Sequence, residues 1–275
     1  METALKFAQR GRLNGDETMT QDQRLNVLLH CLLAERKEYE DIPMPDSLPE
    51  KRRLLRSLMN VRPPIPARED FLRVQDAYLK ERLAERGVTR LKDLTLVRPG
   101  LYLWQGDITT LAVDAIVNAA NSQMLGCFVP CHGCIDNAIH TYAGVQLRLE
   151  CARLMARQEE EEPTGSAKIT KAYNLPCRYV LHTVGPIISG AVTQADRELL
   201  ASCYRTCLEL AESNGLHSVA FCCISTGEFR FPNELAAEIA IQTVGEWQRQ
   251  NPEKIKVIFN VFKDSDYEIY KRLLR

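Results

Sequence analysis

Between Gln21 and about Tyr39, apolar residues recur at Leu25, Leu28, Leu29, Leu32 and Leu33, the three- and four-residue steps of one helical stripe. A second helix is predicted from Leu48 to Met59, ending before Arg62-Pro63-Pro64, where proline removes an amide donor and clashes with a continuing helix. A third starts near Arg68 and aligns Phe71, Val74, Tyr78 and Leu79. From about Leu101 the pattern changes. Short apolar runs at Leu101–Trp104, Ala115–Ala119, Tyr179–Val184, Ser218–Ile224 and Lys256–Phe262 read as strands. Helical stripes fall between them. One runs through Leu199, Leu200, Cys203, Tyr204, Cys207, Leu208 and Ala211, another through Leu235, Ala236, Ile239, Ala240, Thr243, Val244 and Trp247. Strands separated by helices of this length predict a three-layer α/β domain with a mostly parallel central sheet. The change of texture divides the chain into a helical N-terminal extension (1–98), read as a cap, and the α/β domain that it covers (99–275).

Composition narrows the function. With 45% hydrophobic and 26% charged residues, the 275-residue chain is an ordinary globular protein. Its formal net charge of −1 argues against a nucleic-acid binder, which needs a cationic field to displace counterions. The first twenty residues carry no apolar core of a secretory signal, and the longest apolar stretch, from Val27, is broken by His30 and too short to span a membrane. The expected address is cytoplasmic. In a reducing compartment the ten cysteines serve as core residues, metal ligands or reactive thiols rather than disulfides. The acidic run Glu159–Glu162 is expected to be a solvated loop.

Ligands of such sheets bind beyond the carboxyl ends of strands, which directs attention to four loops. Gln105-Gly106-Asp107-Ile108-Thr109 offers a carboxylate to an exocyclic amine, although Asp107 equally suits capping a turn. Asn118-Ala119-Ala120-Asn121-Ser122 presents two side-chain amides to ribose hydroxyls, or forms a polar turn. Gly126-Cys127-Phe128-Val129-Pro130-Cys131-His132-Gly133-Cys134 packs three thiols and an imidazole ahead of a helix opening near Ile135. These are zinc donors, and a single short loop suits three protein ligands with an open fourth position; the alternative is buried cysteines beside a turn histidine. Finally, Ile224-Ser225-Thr226-Gly227-Glu228-Phe229-Arg230-Phe231-Pro232 is expected to feed a helix N-terminus and offer N–H donors to a diphosphate, with Phe229 or Phe231 against a sugar or base.

In order, these loops resemble those of a macrodomain, the ADP-ribose-binding α/β fold. The resemblance rests on Gly106-Asp107-Ile108-Thr109; Val113-Asp114-Ala115-Ile116-Val117-Asn118-Ala119-Ala120-Asn121-Ser122; Ile135-Asp136-Asn137-Ala138-Ile139-His140 with Ala143-Gly144; His182-Thr183-Val184-Gly185-Pro186; and Ile224-Ser225-Thr226-Gly227 with Phe229 and Pro232. The nearest likeness is to MacroD-type hydrolases, which remove ADP-ribose from protein side chains. Where that type carries a run of glycines before Ile135, this chain has the Cys/His loop. With the helical extension, this is similar to the zinc-containing, sirtuin-associated microbial macrodomains.

The resemblance implies one zinc per chain on Cys127, His132 and Cys134, with Cys131 outside the set. It implies that Asp107 binds the adenine amine and Ile108 the ring edge, with Phe262 near the adenine. Asn121 and Asp136 would face the distal ribose as catalytic residues, beside Cys127, Cys134, Ile135 and Asn137. Ser225, Thr226, Gly227, Glu228 and Phe229 would wrap the diphosphate and distal ribose, and Arg230 would gate that loop differently from relatives with a small residue there. His140 reads as a buried helix-packing residue. The implied reaction is hydrolysis of mono-ADP-ribose from protein side chains, ester-linked to acidic residues. A lipoyl-carrier protein of glycine-cleavage type is the implied substrate and a sirtuin-type transferase the functional partner. A reader that binds without cleaving, an O-acyl-ADP-ribose deacylase and a structural zinc with Cys131 as fourth ligand are the alternatives.

Overall fold

The structure, a computed structural model, describes residues 19–158 and 160–275. The readings made on the first eighteen residues and on Glu159 lie outside them. The helical periodicity of the first region is realised as α1 (Gln21–Leu33), α2 (Leu48–Val61) and α3 (Glu69–Arg86). Thr20 opens α1 with a capping box and Ser47 caps α2, so free amides of each first turn are satisfied. Helix α1 stops at Leu33, short of Tyr39, which lies in a separate 3-10 turn. The intervening Glu35-Arg36-Lys37-Glu38 has no apolar residue to continue the buried stripe. Leu25, Leu28, Leu29, Leu32, Leu55, Leu58, Phe71, Val74 and Tyr78 close a hydrophobic cluster of their own.

The chain then runs through β1 (Thr89–Arg90), β2 (Thr95–Arg98), β3 (Leu101–Gln105), β4 (Leu111–Ala112) and β5 (Ala115–Ala120). Helices α4 (Ile135–Ala143) and α5 (Val145–Met155) come next, then β6 (Ala167–Lys171), β7 (Tyr179–Val184), α6 (Gln194–Ser213), β8 (Ser218–Phe221), α7 (Asn233–Gln250), β9 (Lys256–Val261) and α8 (Asp264–Leu273). Strands β1 and β4 form a short parallel pair. The main sheet has the order β2-β3-β9-β8-β5-β7-β6, parallel inside and antiparallel at each edge. A three-layer α/β fold with a mixed, mostly parallel sheet is therefore present, as the alternation of runs predicts. From β5 the chain goes out to the edge as β6, comes back beside β5 as β7, and then crosses to β5's other side as β8. The loops after β5 and β8 diverge at that reversal, where a crevice for ligand forms in such sheets.

Several local expectations are corrected. The run Ser218–Ile224 is a strand only to Phe221, because the chain turns at Ile224 and Ser225 and the latter has φ 64°. Strand β9 ends at Val261 and leaves Phe262 outside the sheet. Glu162 is not solvated. It is buried, its carboxylate lies 2.9 Å from Lys168 Nζ, and its N–H donates to the Ser122 carbonyl. Cys151, Cys177, Cys203, Cys207 and Cys222 are free thiols within the core. Among the described residues no helix is long and apolar enough to cross a membrane.

Candidate active site

After β3, Asp107 caps the 3-10 turn Ile108–Thr110, its Oδ1 accepting the Thr109 N–H at 2.9 Å and the Thr109 hydroxyl at 2.6 Å. The turn-capping reading is therefore realised, and the side chain stays partly exposed through Oδ2. That oxygen accepts a 2.8 Å bond from Arg86 of α3, whose guanidinium stacks on Tyr142 at 3.6 Å. Ile108 is buried in the main core and Phe262 is exposed.

Strand β5 delivers the two asparagines to different depths. Asn118 is fully buried and donates to Asp136 Oδ1 at 2.8 Å, with its Nδ2 3.1 Å from His182 Nδ1. Asn121, past the strand end, donates to the Gly126 carbonyl at 3.3 Å, and its buried Oδ1 has no hydrogen-bond partner among the described residues. A buried acceptor without a donor is costly, so a donor that reached Oδ1 would be favoured.

The Cys/His loop closes on itself. Ligand atoms of Cys127, His132 and Cys134 all lie within 4.8 Å of one another, each residue half-buried. Cys127 Sγ is 3.6 Å from His132 Nδ1, which leaves Nε2 facing the Glu228 carboxylate at 3.5 Å. Two thiols and an imidazole backed by a carboxylate form a donor set that fits zinc. Cys131, with φ 53°, is turned away toward α2; its Sγ lies 3.2 Å from Ser57 Oγ and 3.4 Å from the Arg53 carbonyl. Cys134 also caps α4, accepting the Asn137 N–H at 3.4 Å. Burial pushes the Cys134 thiol up to about 12, so a cation is needed for it to act as thiolate.

Two residues on, in the first turn of α4, Asp136 is 5% exposed. Burial raises its pKa to about 6 against the lowering effect of the Asn118 bond and the Arg148 charge. His140, one turn later, is buried with its Nε2 3.5 Å from Asp136 Oδ1, and neither ring nitrogen has a hydrogen-bond partner among the described residues. Burial holds its pKa well below the usual value, so it is neutral. Its ring packs where a Cβ on Gly126 (φ 79°) would sit, at 2.8 Å, so that position excludes any side chain. Asn137, expected at the ligand, is fully buried. Its Oδ1 accepts from Arg56 and its Nδ2 donates to the Val129 carbonyl, so its carboxamide faces the loop instead. Ile135 is half-buried above the core.

The Ser225–Phe229 turn does not feed a helix directly, contrary to the expectation from its sequence. Helix α7 starts only at Asn233, with Pro232 in the N-cap position and no side-chain cap, so the N–H donors this turn has to offer are its own amides. Ser225 has a buried hydroxyl without a partner among the described residues, pressed against Gly185, where a Cβ would approach to 2.0 Å. Thr226 Oγ1 donates to the Cys223 carbonyl, Gly227 and Glu228 are exposed, and Phe229 is half-buried. Arg230 has φ 59° and is exposed, whereas Phe231 is buried in the core and so unavailable to a sugar.

Residues of the extension and of α5 complete the site, and the motifs do not indicate them. Arg148 is 5% exposed, and burial brings its pKa down to about 10. It donates to the carbonyls of Leu125 (2.7 Å), Asn60 (2.7 Å) and Arg62 (2.6 Å), and stacks on Phe128 at 4.2 Å. Arg56 and Asn60 approach the loop from α2. One signal for these is present in the sequence: Arg53, Arg56, Ser57 and Asn60 form a polar stripe at helical spacing.

A family model described as Macro domain matches residues 117–240. The chain is 56% identical over 260 residues to a protein of Treponema medium named protein-ADP-ribose hydrolase, covering 93% of this chain and 100% of that one. A protein of Fusarium oxysporum f. sp. cubense, named probable bifunctional ADP-ribose hydrolase/ADP-ribosyltransferase, is 45% identical over 242 residues, covering 80% of this chain and 40% of that one. Among solved structures, a Trypanosoma brucei macrodomain in complex with ADP-ribose superposes with a TM-score of 0.62 at 30% identity, covering 84% of this chain and 97% of that one.

Proposed function

The chain belongs to the macrodomain family, with protein-ADP-ribose hydrolases among its relatives, and on that premise we propose that it is a zinc-dependent hydrolase removing mono-ADP-ribose from acidic side chains of proteins. The observation that carries the reading is the placement of the Cys127–His132–Cys134 donor set two residues before Asp136, on the same loop that meets the unpartnered Asn121. A module that only holds ADP-ribose has no use for such a donor set next to a buried acid.

Zinc bound by Cys127, His132 and Cys134 would orient the distal ribose and acidify a bound water. The chain's own groups do the rest. The Asp107 carboxylate accepts from the adenine amine, held in place by Thr109 and Arg86. The turn from Ser225 to Phe229 wraps the diphosphate, and Asn121 Oδ1 accepts a ribose hydroxyl. Asp136, with a pKa of about 6, is largely ionised at neutral pH and takes the proton of the attacking water. The water oxygen bonds to the ribose carbon C1″, the bond from C1″ to the carboxyl oxygen breaks, and that oxygen leaves as carboxylate. The Fusarium relative, whose name joins hydrolase and transferase, supports a functional pairing with an ADP-ribosyltransferase, for which we favour a sirtuin-type enzyme. A lipoyl-carrier protein in the cytoplasm is the substrate we favour.

The test is metal content by elemental analysis alongside ADP-ribose release from a protein mono-ADP-ribosylated on acidic residues. About one zinc per chain and chelator-sensitive release are expected of the three-ligand site. Release that continues undiminished after zinc removal would overturn the proposal.

A further inference from the structure

Helix α2 has two faces. Leu55, Leu58 and Met59 enter the apolar cluster of the extension, while Arg53, Arg56, Ser57 and Asn60 line the opposite side at three- and four-residue steps. That second face lies against the Cys/His loop. Arg56 Nη2 donates to the His132 carbonyl at 2.9 Å and to Asn137 Oδ1 at 2.7 Å, and Arg56 Nε donates to the same Oδ1 at 3.1 Å. Asn137 passes the constraint on, donating through Nδ2 to the Val129 carbonyl at 2.9 Å. Asn60 Oδ1 accepts the Cys131 N–H at 2.9 Å, and Asn60 Nδ2 donates to Thr141 Oγ1 at 3.0 Å, tying the loop to α4. Arg148 then locks the end of α2 to the start of the loop by donating to the carbonyls of Met59, Asn60 and Arg62 on one side and of Leu125 and Cys127 on the other.

The loop from Leu125 to Cys134 has no helix or strand of its own. Its backbone groups at Leu125, Val129, Cys131 and His132 are instead met by side chains from α2, α4 and α5. A loop held this way keeps its donors apart at the distance set by its supports, and a metal site is only as well formed as those supports. The planar fork of Arg56 matters here. A lysine carries a single nitrogen, so even where it meets both acceptors as Nη2 does, it loses the second bond, from Nε to Asn137 Oδ1, and the planar geometry that fixes the head group.

We propose that α2 is the outer wall of the Cys/His site and that Arg56, with Asn60, is a positioning residue that preorganises Cys127, His132 and Cys134 for the metal. The proposal rests on the zinc reading above. Arg53 provides the control, because only its main-chain carbonyl meets the loop and its side chain is exposed.

The experiment measures zinc affinity of the full chain by competition with a chromogenic chelator, and the rate of zinc loss to excess EDTA, for wild type, Arg56→Ala, Arg56→Lys, Asn60→Ala and Arg53→Ala. Thermal melting of the metal-free proteins runs alongside. Loss of a hydrogen-bonding support of this kind weakens metal binding about 10–100-fold, and that loss with faster zinc release is expected for Arg56→Ala and Asn60→Ala. Arg56→Lys should lose several-fold and Arg53→Ala should match wild type. Because Arg56→Lys keeps the stem and the charge, it remains informative if the alanine variant folds poorly. Wild-type affinity in Arg56→Lys and Arg56→Ala overturns the proposal and leaves the zinc reading intact. Equal losses in Arg53→Ala also overturn it. A wild-type protein that takes up no zinc overturns both.

Discussion

Replacing Asp136 by asparagine should stabilise the protein while removing its activity, and the two effects have separate origins. The carboxyl is buried, and a pKa of about 6 in place of the ordinary 3.8 means that carrying its charge at neutral pH costs about 3 kcal/mol, at 1.36 kcal/mol per tenfold. Asparagine has the same shape, accepts the same 2.8 Å bond from Asn118, and brings an amide toward the unpartnered His140 Nε2. The metal-free variant should therefore exceed wild type by about 2–3 kcal/mol at pH 7.5, or several degrees in melting temperature. The sign comes from proton binding. Between about pH 4 and 6 the folded wild type holds a proton that the unfolded chain has released, so wild-type stability falls as pH rises through this window. The gap should open there, vanish below about pH 4 and stay flat above about pH 6. Urea denaturation of both proteins at pH 4, 5, 6 and 7.5 measures it. No gap at pH 7.5, or the same gap at pH 4 and pH 7.5, would refute the burial argument. ADP-ribose release by the variant should fall about 100-fold or more, the usual loss on removing a general base.

The same geometry sets other outcomes. Arg148→Met should destabilise the fold by about 3 kcal/mol or more in urea, because buried carbonyls at Leu125, Asn60 and Arg62 lose their donor; a change under about 1 kcal/mol would show that other groups satisfy them. Arg86→Ala releases Asp107 from its 2.8 Å partner and should weaken ADP-ribose binding about fivefold by calorimetry, as expected for loss of one orienting bond. Unaltered affinity would mean that Thr109 alone fixes the carboxylate. Cys131→Ser should keep its metal, since Cys131 Sγ faces Ser57 and the Arg53 carbonyl, whereas Cys127→Ser should lose it. Elemental analysis of the two variants decides the ligand set.

The elements legible in the sequence are those whose period is unmixed. Helix α6 buries Leu200, Cys203, Tyr204, Cys207, Leu208 and Ala211 on one stripe, and β7 is apolar enough to be buried on both faces. Strand β6, Ala-Lys-Ile-Thr-Lys, carries two lysines because it is an edge, and it is missing from the predicted strands for the same reason. Helix α5 hides a buried arginine in its apolar face, which breaks the periodic signal. Within the site, Asp107, Asn121 and the Cys/His loop are visible because their chemistry sits in short local text. Arg56, Asn60, Arg86 and Arg148 are not, since each acts on a loop at least 20 residues away in sequence. Composition alone misplaces Phe231 and Glu162: the first has a core to fill, and the second has Lys168 to neutralise it.

Arg86 and Arg56 sit on two helices of one bundle, yet one touches Asp107 and the other the Cys/His loop, the adenine and ribose ends of the ligand in the proposed binding mode. In that binding mode the extension is a caliper, with a jaw at each end of the ligand's length. The span between its jaws is set by how α2 and α3 each pack against α1, in the cluster that joins Leu55, Leu58, Phe71 and Tyr78 to Leu25, Leu28 and Leu32. Core substitutions among those residues would change the distance between the two loops. Grafting the Cys/His loop onto a scaffold without these helices would transfer the donors and leave behind the instrument that spaces them.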